Sequence, residues 1–219
     1  MNTSILPYRG QQKTIVKDHN TDDIVREVLT AHKVFAKDYD LIAPQFWRGN
    51  QLDTIRYIFN YCKKNFPYKV EGEESQTTRS PGAIIATAKK MGVDCKHYAG
   101  WIAGVLDALN RTGKNFTYKY RFASYDLFNS TPEHVFIVVT IGGNEYWVDP
   151  VLQQFDQRTP GYIYSFDKKP AMQRIGISTA QELLLKNSGI IPRTDLVLNE
   201  NVQPGSTTAP PAQNDSFAK

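Results

Sequence analysis

The chain has 219 residues, with 26 lysines and arginines against 22 aspartates and glutamates and 41% hydrophobic residues. That length allows one sizeable core with extensions, and the net charge of +4 comes without a dense basic block, which argues against nucleic-acid binding. No apolar run approaches the ~20 residues that span a bilayer, and Met1 to Gly10 lacks the basic and apolar regions of a signal peptide, so neither a membrane span nor secretion is expected.

Residues 1–20 are polar and aperiodic apart from a β-prone patch at Thr14-Ile15-Val16, and are expected to form an extended N-terminal arm. Thr21 reads as an N-cap, with Asp22 and Asp23 in the first turn. Ile24, Val28, His32, Phe35 and Ala36 then recur at helical spacing to about Asp38. His32 falls on this face and is expected to be a satisfied core histidine. Asn50 caps a second helix whose stripe is Leu52, Ile55, Phe59, Cys62 and Phe66, ended by Pro67. Cys62 on that stripe reads as a small buried hydrophobe, not as a disulfide partner for Cys95.

Residues 67–80 read as a polar loop that includes Gln76 and Arg79, the latter with a structural role. Pro81 opens a third helix that runs to Met91, and Gly92 follows as its C-terminal glycine. Asp94 is the N-cap of the next helix, which places Cys95 at its first position, with Tyr98, Ile102, Val105, Leu106 and Leu109 as its buried face.

Beyond Gly113 the period changes. Phe116 to Tyr125 and Val135 to Thr140 read as strands, Gly142-Gly143 as a two-residue hairpin turn, Glu145 to Val148 as the partner strand and Tyr162 to Phe166 as a further short one. Ser178 and Gln181 form a capping-box signature for a last helix through Leu185. From about residue 201 the composition is that of a disordered tail. Helices followed by antiparallel strands argue for an α+β fold, with one domain over residues 21–200 between the arm and the 201–219 tail.

Three residues carry the chemical expectation. Cys95 at a helix N-terminus sits where backbone N–H groups favour a thiolate. If Gly142-Gly143 is the turn, Ile141 pairs with Asn144, and counting outward sets Phe136 opposite Asp149. His134 then shares the face of Asp149 as its diagonal neighbour, ~7–8 Å away at the backbone and within reach of a His–Asp hydrogen bond. A slip of one residue would separate the two. A thiol, an imidazole and an orienting carboxylate in that relation would serve nucleophilic catalysis. The backbone N–H of Cys95 is a candidate oxyanion donor. His97, two residues beyond Cys95, faces away from it. Asp94, Cys95 and His97 lack the second cluster a zinc site needs, so no metal or other cofactor is expected.

Gly92-Val93-Asp94-Cys95-Lys96-His97-Tyr98-Ala99, then Glu133-His134-Val135-Phe136, then Tyr146-Trp147-Val148-Asp149-Pro150 resembles the transglutaminase-like superfamily of the papain-like group of folds. The likeness covers roughly residues 50–155. It implies Cys95 as nucleophile, His134 as base, Asp149 as orienting residue and, by analogy with papain-like enzymes, the side chain of Gln76 as a candidate oxyanion donor, acting on a protein or peptide substrate, with amide hydrolysis expected ahead of protein crosslinking. The calcium sites and flanking β-domains of animal transglutaminases are not recognisable. Tyr120 to Tyr125 is also similar to transglutaminase-like proteins of bacteriophages and prophages. That resemblance implies either a bacterial cytoplasmic enzyme or a non-enzymatic virion component with protein assembly partners.

Overall fold

The helix α5 (Cys95–Arg111) is apolar on almost every side: Tyr98, Trp101, Ile102, Val105, Leu106 and Leu109 are buried, with Ala99, Ala103, Gly104 and Ala108 between them. A helix hydrophobic all round must be covered all round. In the computed structural model, which describes residue 6 and residues 12–14, 21–72, 76–125, 131–158 and 161–170, it is. All of these lie in one compact unit formed by residues 1–171. α1 (Thr21–Val34) and α2 (Ala36–Ile42) pack on α5, joined by the 3-10 turn Ala43–Phe46, and the sheet packs on it through β4 (His134–Ile141). Trp101 is the hub of an aromatic cluster. The rings of Tyr39, Phe46, Tyr61 and Phe66 surround it at centroid distances of 4.9–6.2 Å.

The first helix is shorter than its periodicity suggests. It stops at Val34, and Phe35 (φ −103°, ψ 21°) redirects the chain into α2. The redirection lays Tyr39 and Ile42 into the core. Tyr39 sits so close to Gly104 that a Cβ there would lie 2.3 Å from its ring. Gly104→Ala therefore sets two effects against each other. Alanine gains about 1 kcal/mol of helix propensity, while overpacking a closed core costs about 1–3 kcal/mol. The added Cβ meets three atoms of the buried Tyr39 ring at 2.3–2.5 Å, so the clash dominates and the urea midpoint should fall; an unchanged or higher midpoint would contradict this packing.

α3 (Gln51–Asn65) begins where Asn50 Oδ1 accepts the Asp53 N–H at 2.8 Å, and it buries Ile55, Phe59 and Cys62 as its stripe required. α4 (Pro81–Met91) is capped by Ser80, whose Oγ accepts from Ala83 N. Between them the expected polar loop contains a strand, β2 (Thr77–Arg79), paired antiparallel with β1 (Gln12–Thr14). Its three polar residues are buried, because partners elsewhere in the chain take up their hydrogen-bonding groups.

The main sheet is antiparallel, in the order β5-β4-β3-β6, with β3 Thr117–Ser124, β5 Asn144–Val148 and β6 Tyr164–Lys168. Gly142 and Gly143 both have positive φ (57° and 82°), as a tight hairpin turn demands, and Ile141 pairs with Asn144 in the anticipated register. Val135, Ile137, Val139 and Val148 belong to the core shared with α5. Phe136, Val138, Ala123 and Trp147 form a second cluster on the other face, with Tyr125 and Tyr162 packed against it. The architecture is α+β. Among the described residues no helix is long and apolar enough to cross a membrane. The helix expected through Leu185 and the tail from residue 201 lie outside the described residues.

Candidate functional site

His134 opens β4, and Asp149 follows the last residue of β5. The hairpin register brings them together: His134 Nε2 and Asp149 Oδ2 are 2.7 Å apart, with the carboxylate buried and the imidazole nearly so. The other carboxylate oxygen accepts the Val151 N–H at 3.1 Å, so Asp149 is held from both ends. The ring of His134 lies between those of Phe136 and Tyr125, at centroid distances of 5.7 and 5.9 Å. With Nε2 engaged by the carboxylate, the second ring nitrogen is left for another partner.

The half-buried thiol of Cys95 lies close enough to act on that imidazole electrostatically. Burial opposes a charge on this imidazole. The hydrogen bond donated to Asp149, reinforced by Cys95, outweighs it and pushes the His134 pKa up to about 10. The arrangement is one in which the imidazole keeps a proton at neutral pH. α5 packs on the face of β4 that carries Val135 and Ile137, not on the face of Phe136. The thiol can approach the histidine because both stand at element ends, Cys95 at the first position of its helix and His134 at the first position of its strand.

A network of buried charges holds that helix end. Asp94 is the N-cap, accepting the His97 N–H at 3.4 Å and the His97 ring through Nδ1 at 2.7 Å. His97 Nε2 accepts from Arg79 Nε at 3.1 Å. Together these contacts define a neutral ring that donates from Nδ1. Burial, Lys96 and Arg79 accordingly lower its pKa, against the pull of Asp94. Lys96 Nζ pairs with Asp94 and, at 2.9 Å, with Glu71 Oε2. Glu71 also accepts from Arg79 Nη2, from the Thr77 hydroxyl and from the Thr77 N–H. Arg79 reaches Thr87 with Nη1. The structural role expected for Arg79 is this one: it ties β2 to α4 and to the first turn of α5.

Burial works against the Asp94 carboxylate, yet His97 and Lys96 bring its pKa down to about 2. Glu71 is lowered despite its burial by Lys96 and Thr77, and Asp107 despite its burial by His32 and Tyr118. A carboxylate depressed in the folded state contributes stability that is complete above its unfolded pKa of about 4 and is lost as pH falls through the folded value. Thermal stability should therefore hold down to about pH 4 and fall steeply toward pH 2. Melting curves across that range test this, and a flat profile would contradict it.

Glu71, Asp94 and His97 bring one ligand atom each within 4.8 Å of one another. Lys96 and Arg79 are bonded to those same three residues, so a cation in their midst would have to displace two resident ones.

The remaining sequence candidates fall into place around this core. His32 is buried, with Nε2 on Asp107 Oδ2 and Nδ1 on the Tyr120 hydroxyl, both at 2.9 Å, and is a satisfied core histidine as anticipated. Cys62 is fully buried and burial pushes its thiol pKa up. Gln76 Nε2 donates to the carbonyls of Glu71 and Gly72, which engages in loop closure the donor an oxyanion role requires. Sequence reasoning missed Glu71, whose alternation with glycine in a polar loop resembles any solvated carboxylate, and Tyr68. The latter is 45% exposed and stacks on Tyr98 at 6.3 Å. Its pKa is raised to about 12 by burial and then by Cys95, Asp94 and Asp149.

No protein-family model and no curated protein matches the chain. Among solved structures, a Parabacteroides distasonis ATCC 8503 protein named "putative protease" is similar over 56% of this chain and 26% of its own, at 12% identity and a TM-score of 0.41. The chain thus spans about a quarter of that protein, and a likeness this low bears on neither fold nor activity.

Proposed function

We propose that the protein is a cysteine-dependent acyl-transfer enzyme with a transglutaminase-like, papain-related core, and that it hydrolyses an amide or peptide bond. The observation that carries this reading is the imidazole of His134 bonded to the Asp149 carboxylate at 2.7 Å, with the Cys95 thiol near enough to help push its pKa up to about 10. The chemistry follows from the geometry. Cys95 gives its proton to His134, and Asp149 stabilises the imidazolium. The sulfur attacks the substrate carbonyl carbon, and the carbonyl electron pair moves to oxygen. The Cys95 N–H, at the first helical position, has no intrahelical acceptor and is the backbone donor for that oxyanion. Collapse breaks the C–N bond, His134 protonates the departing amine, and a thioester on Cys95 remains. Water, deprotonated by His134, attacks the thioester and releases the acid, regenerating the thiol. Water is the assigned acceptor because Cys95 stays partly open to solvent.

The test is thiol alkylation. Iodoacetamide at neutral pH should modify Cys95 at least tenfold faster than Cys62, with peptide mapping by mass spectrometry as the readout. Equal, slow modification of both would remove the basis of the proposal.

A further inference from the structure

The segment Pro67–Val70 runs alongside the lead-in to the nucleophile. The Val93 N–H donates to the Pro67 carbonyl and the Lys69 N–H to the Val93 carbonyl, both at 2.9 Å, which makes Tyr68 and Val93 a parallel bridge. Gly92 permits this approach: its φ is +75°, and a Cβ there would lie 2.4 Å from the Lys69 Cβ. Successive peptide groups of an extended segment point to opposite sides. Pro67 C=O and Lys69 N–H point at Val93, so the N–H and C=O of Tyr68 point outward, where no described residue bonds them. Tyr68 and Val70, the latter at 66%, are exposed on either side of the exposed Lys69, and Met91 is exposed at the end of α4. Tyr68 lies flat on Tyr98, three residues into the helix that Cys95 begins, with 12° between the rings.

We infer that this ledge receives the acyl donor: an extended peptide pairs with the outward backbone of Tyr68, and the Tyr68 ring selects an apolar side chain near the scissile bond. The inference rests on Cys95 being the nucleophile. It adds what that reading lacks, namely a reason for the enzyme to prefer one acyl group over another. The position fits a substrate and not a remote partner, because the ledge is continuous with Val93-Asp94-Cys95. A strand laid along an open edge is a common mode of peptide capture, with the backbone giving affinity and alternate side chains giving specificity.

The test compares two activated esters, the p-nitrophenyl esters of N-acetyl-leucyl-leucine and N-acetyl-glycyl-glycine, by nitrophenolate release, with iodoacetamide alkylation of Cys95 measured in parallel. The wild type should react about tenfold or more faster with the leucyl ester. Tyr68→Ala should bring that ratio close to one, Tyr68→Phe should retain it, and alkylation should stay unchanged in both. A ratio near one in the wild type, or one that survives Tyr68→Ala, overturns the inference while leaving the nucleophile intact. A Tyr68→Ala change in sedimentation mass with an unchanged ester ratio would also overturn it, assigning the ledge to self-association. Absence of nitrophenolate release from a wild type whose Cys95 still alkylates would overturn both the ledge and the acyl-transfer reading.

Discussion

Asp149→Asn is expected to cut Cys95-dependent acyl transfer by about 10²–10⁴-fold, with the fold retained. The substitution is nearly isosteric, and the amide oxygen can still accept from Val151 N. What it removes is the charge opposite the imidazole. In the intact site the burial of His134 disfavours its protonated form, and Asp149 reverses that balance, raising the pKa to about 10 with help from Cys95. Without the carboxylate, burial is opposed only by the thiol side, and the His134 pKa falls. His134 then takes the Cys95 proton less readily. Alkylation of Cys95 at pH 7 should therefore slow by at least tenfold in Asp149→Asn, and should recover as pH rises. His134→Ala should lose acyl transfer by about 10³-fold because no group remains to take and return the proton. If Asp149→Asn alkylates and turns over like the wild type across the pH range, the carboxylate orients nothing and the proposed triad is wrong.

The second large effect is expected at Asp94. Asp94→Ala removes an N-cap, worth about 0.5–2 kcal/mol. It also breaks the pair with Lys96, which is buried beside it and keeps Glu71 as its other carboxylate partner. Removing one member of a buried ion pair costs about 3–5 kcal/mol where the other is left unpaired, and Lys96, which keeps Glu71, puts the cost here at the low end. The two contributions overlap, and about 3 kcal/mol of lost stability is expected, a large share of the 5–15 kcal/mol typical of a whole domain. Asp94→Asn keeps an acceptor for the His97 N–H but no charge for Lys96, so it should fall between Ala and the wild type. Urea unfolding of the three proteins decides the order. The first turn of α5 should also fray in Asp94→Ala, so Cys95 should alkylate more slowly there than in Asp94→Asn. An alanine variant within about 1 kcal/mol of the wild type would mean that the cluster is solvated and does not anchor the helix.

Much of the site is legible along the chain because it rests on local rules. A carboxylate before Cys95 caps the helix by reaching its own third N–H, a contact confined to one turn. Two glycines between β-branched runs impose a two-residue turn, and the side-chain period of two carries that register as far as His134 and Asp149. Cys62 and His32 reveal their burial through helical spacing. The chain also misleads in places. Thr77, Thr78 and Arg79 have the composition of a solvated loop, and Phe35 lies within an unbroken periodic pattern.

By itself, then, the sequence determined the helix that starts at Cys95, the hairpin, and the pairing of His134 with Asp149. Each follows from backbone geometry over a few residues or from a strict alternation that a turn sets in phase. Only the tertiary structure decided that Cys95 and His134 approach each other at the ends of their elements, that Glu71 joins Lys96 and Arg79 across 25 and 8 positions of chain, and that Tyr68 stacks on Tyr98 in the helix Cys95 begins. A polar residue looks the same in sequence whether water or a buried partner satisfies it. The choice between the two is made by contacts that fall into no local period.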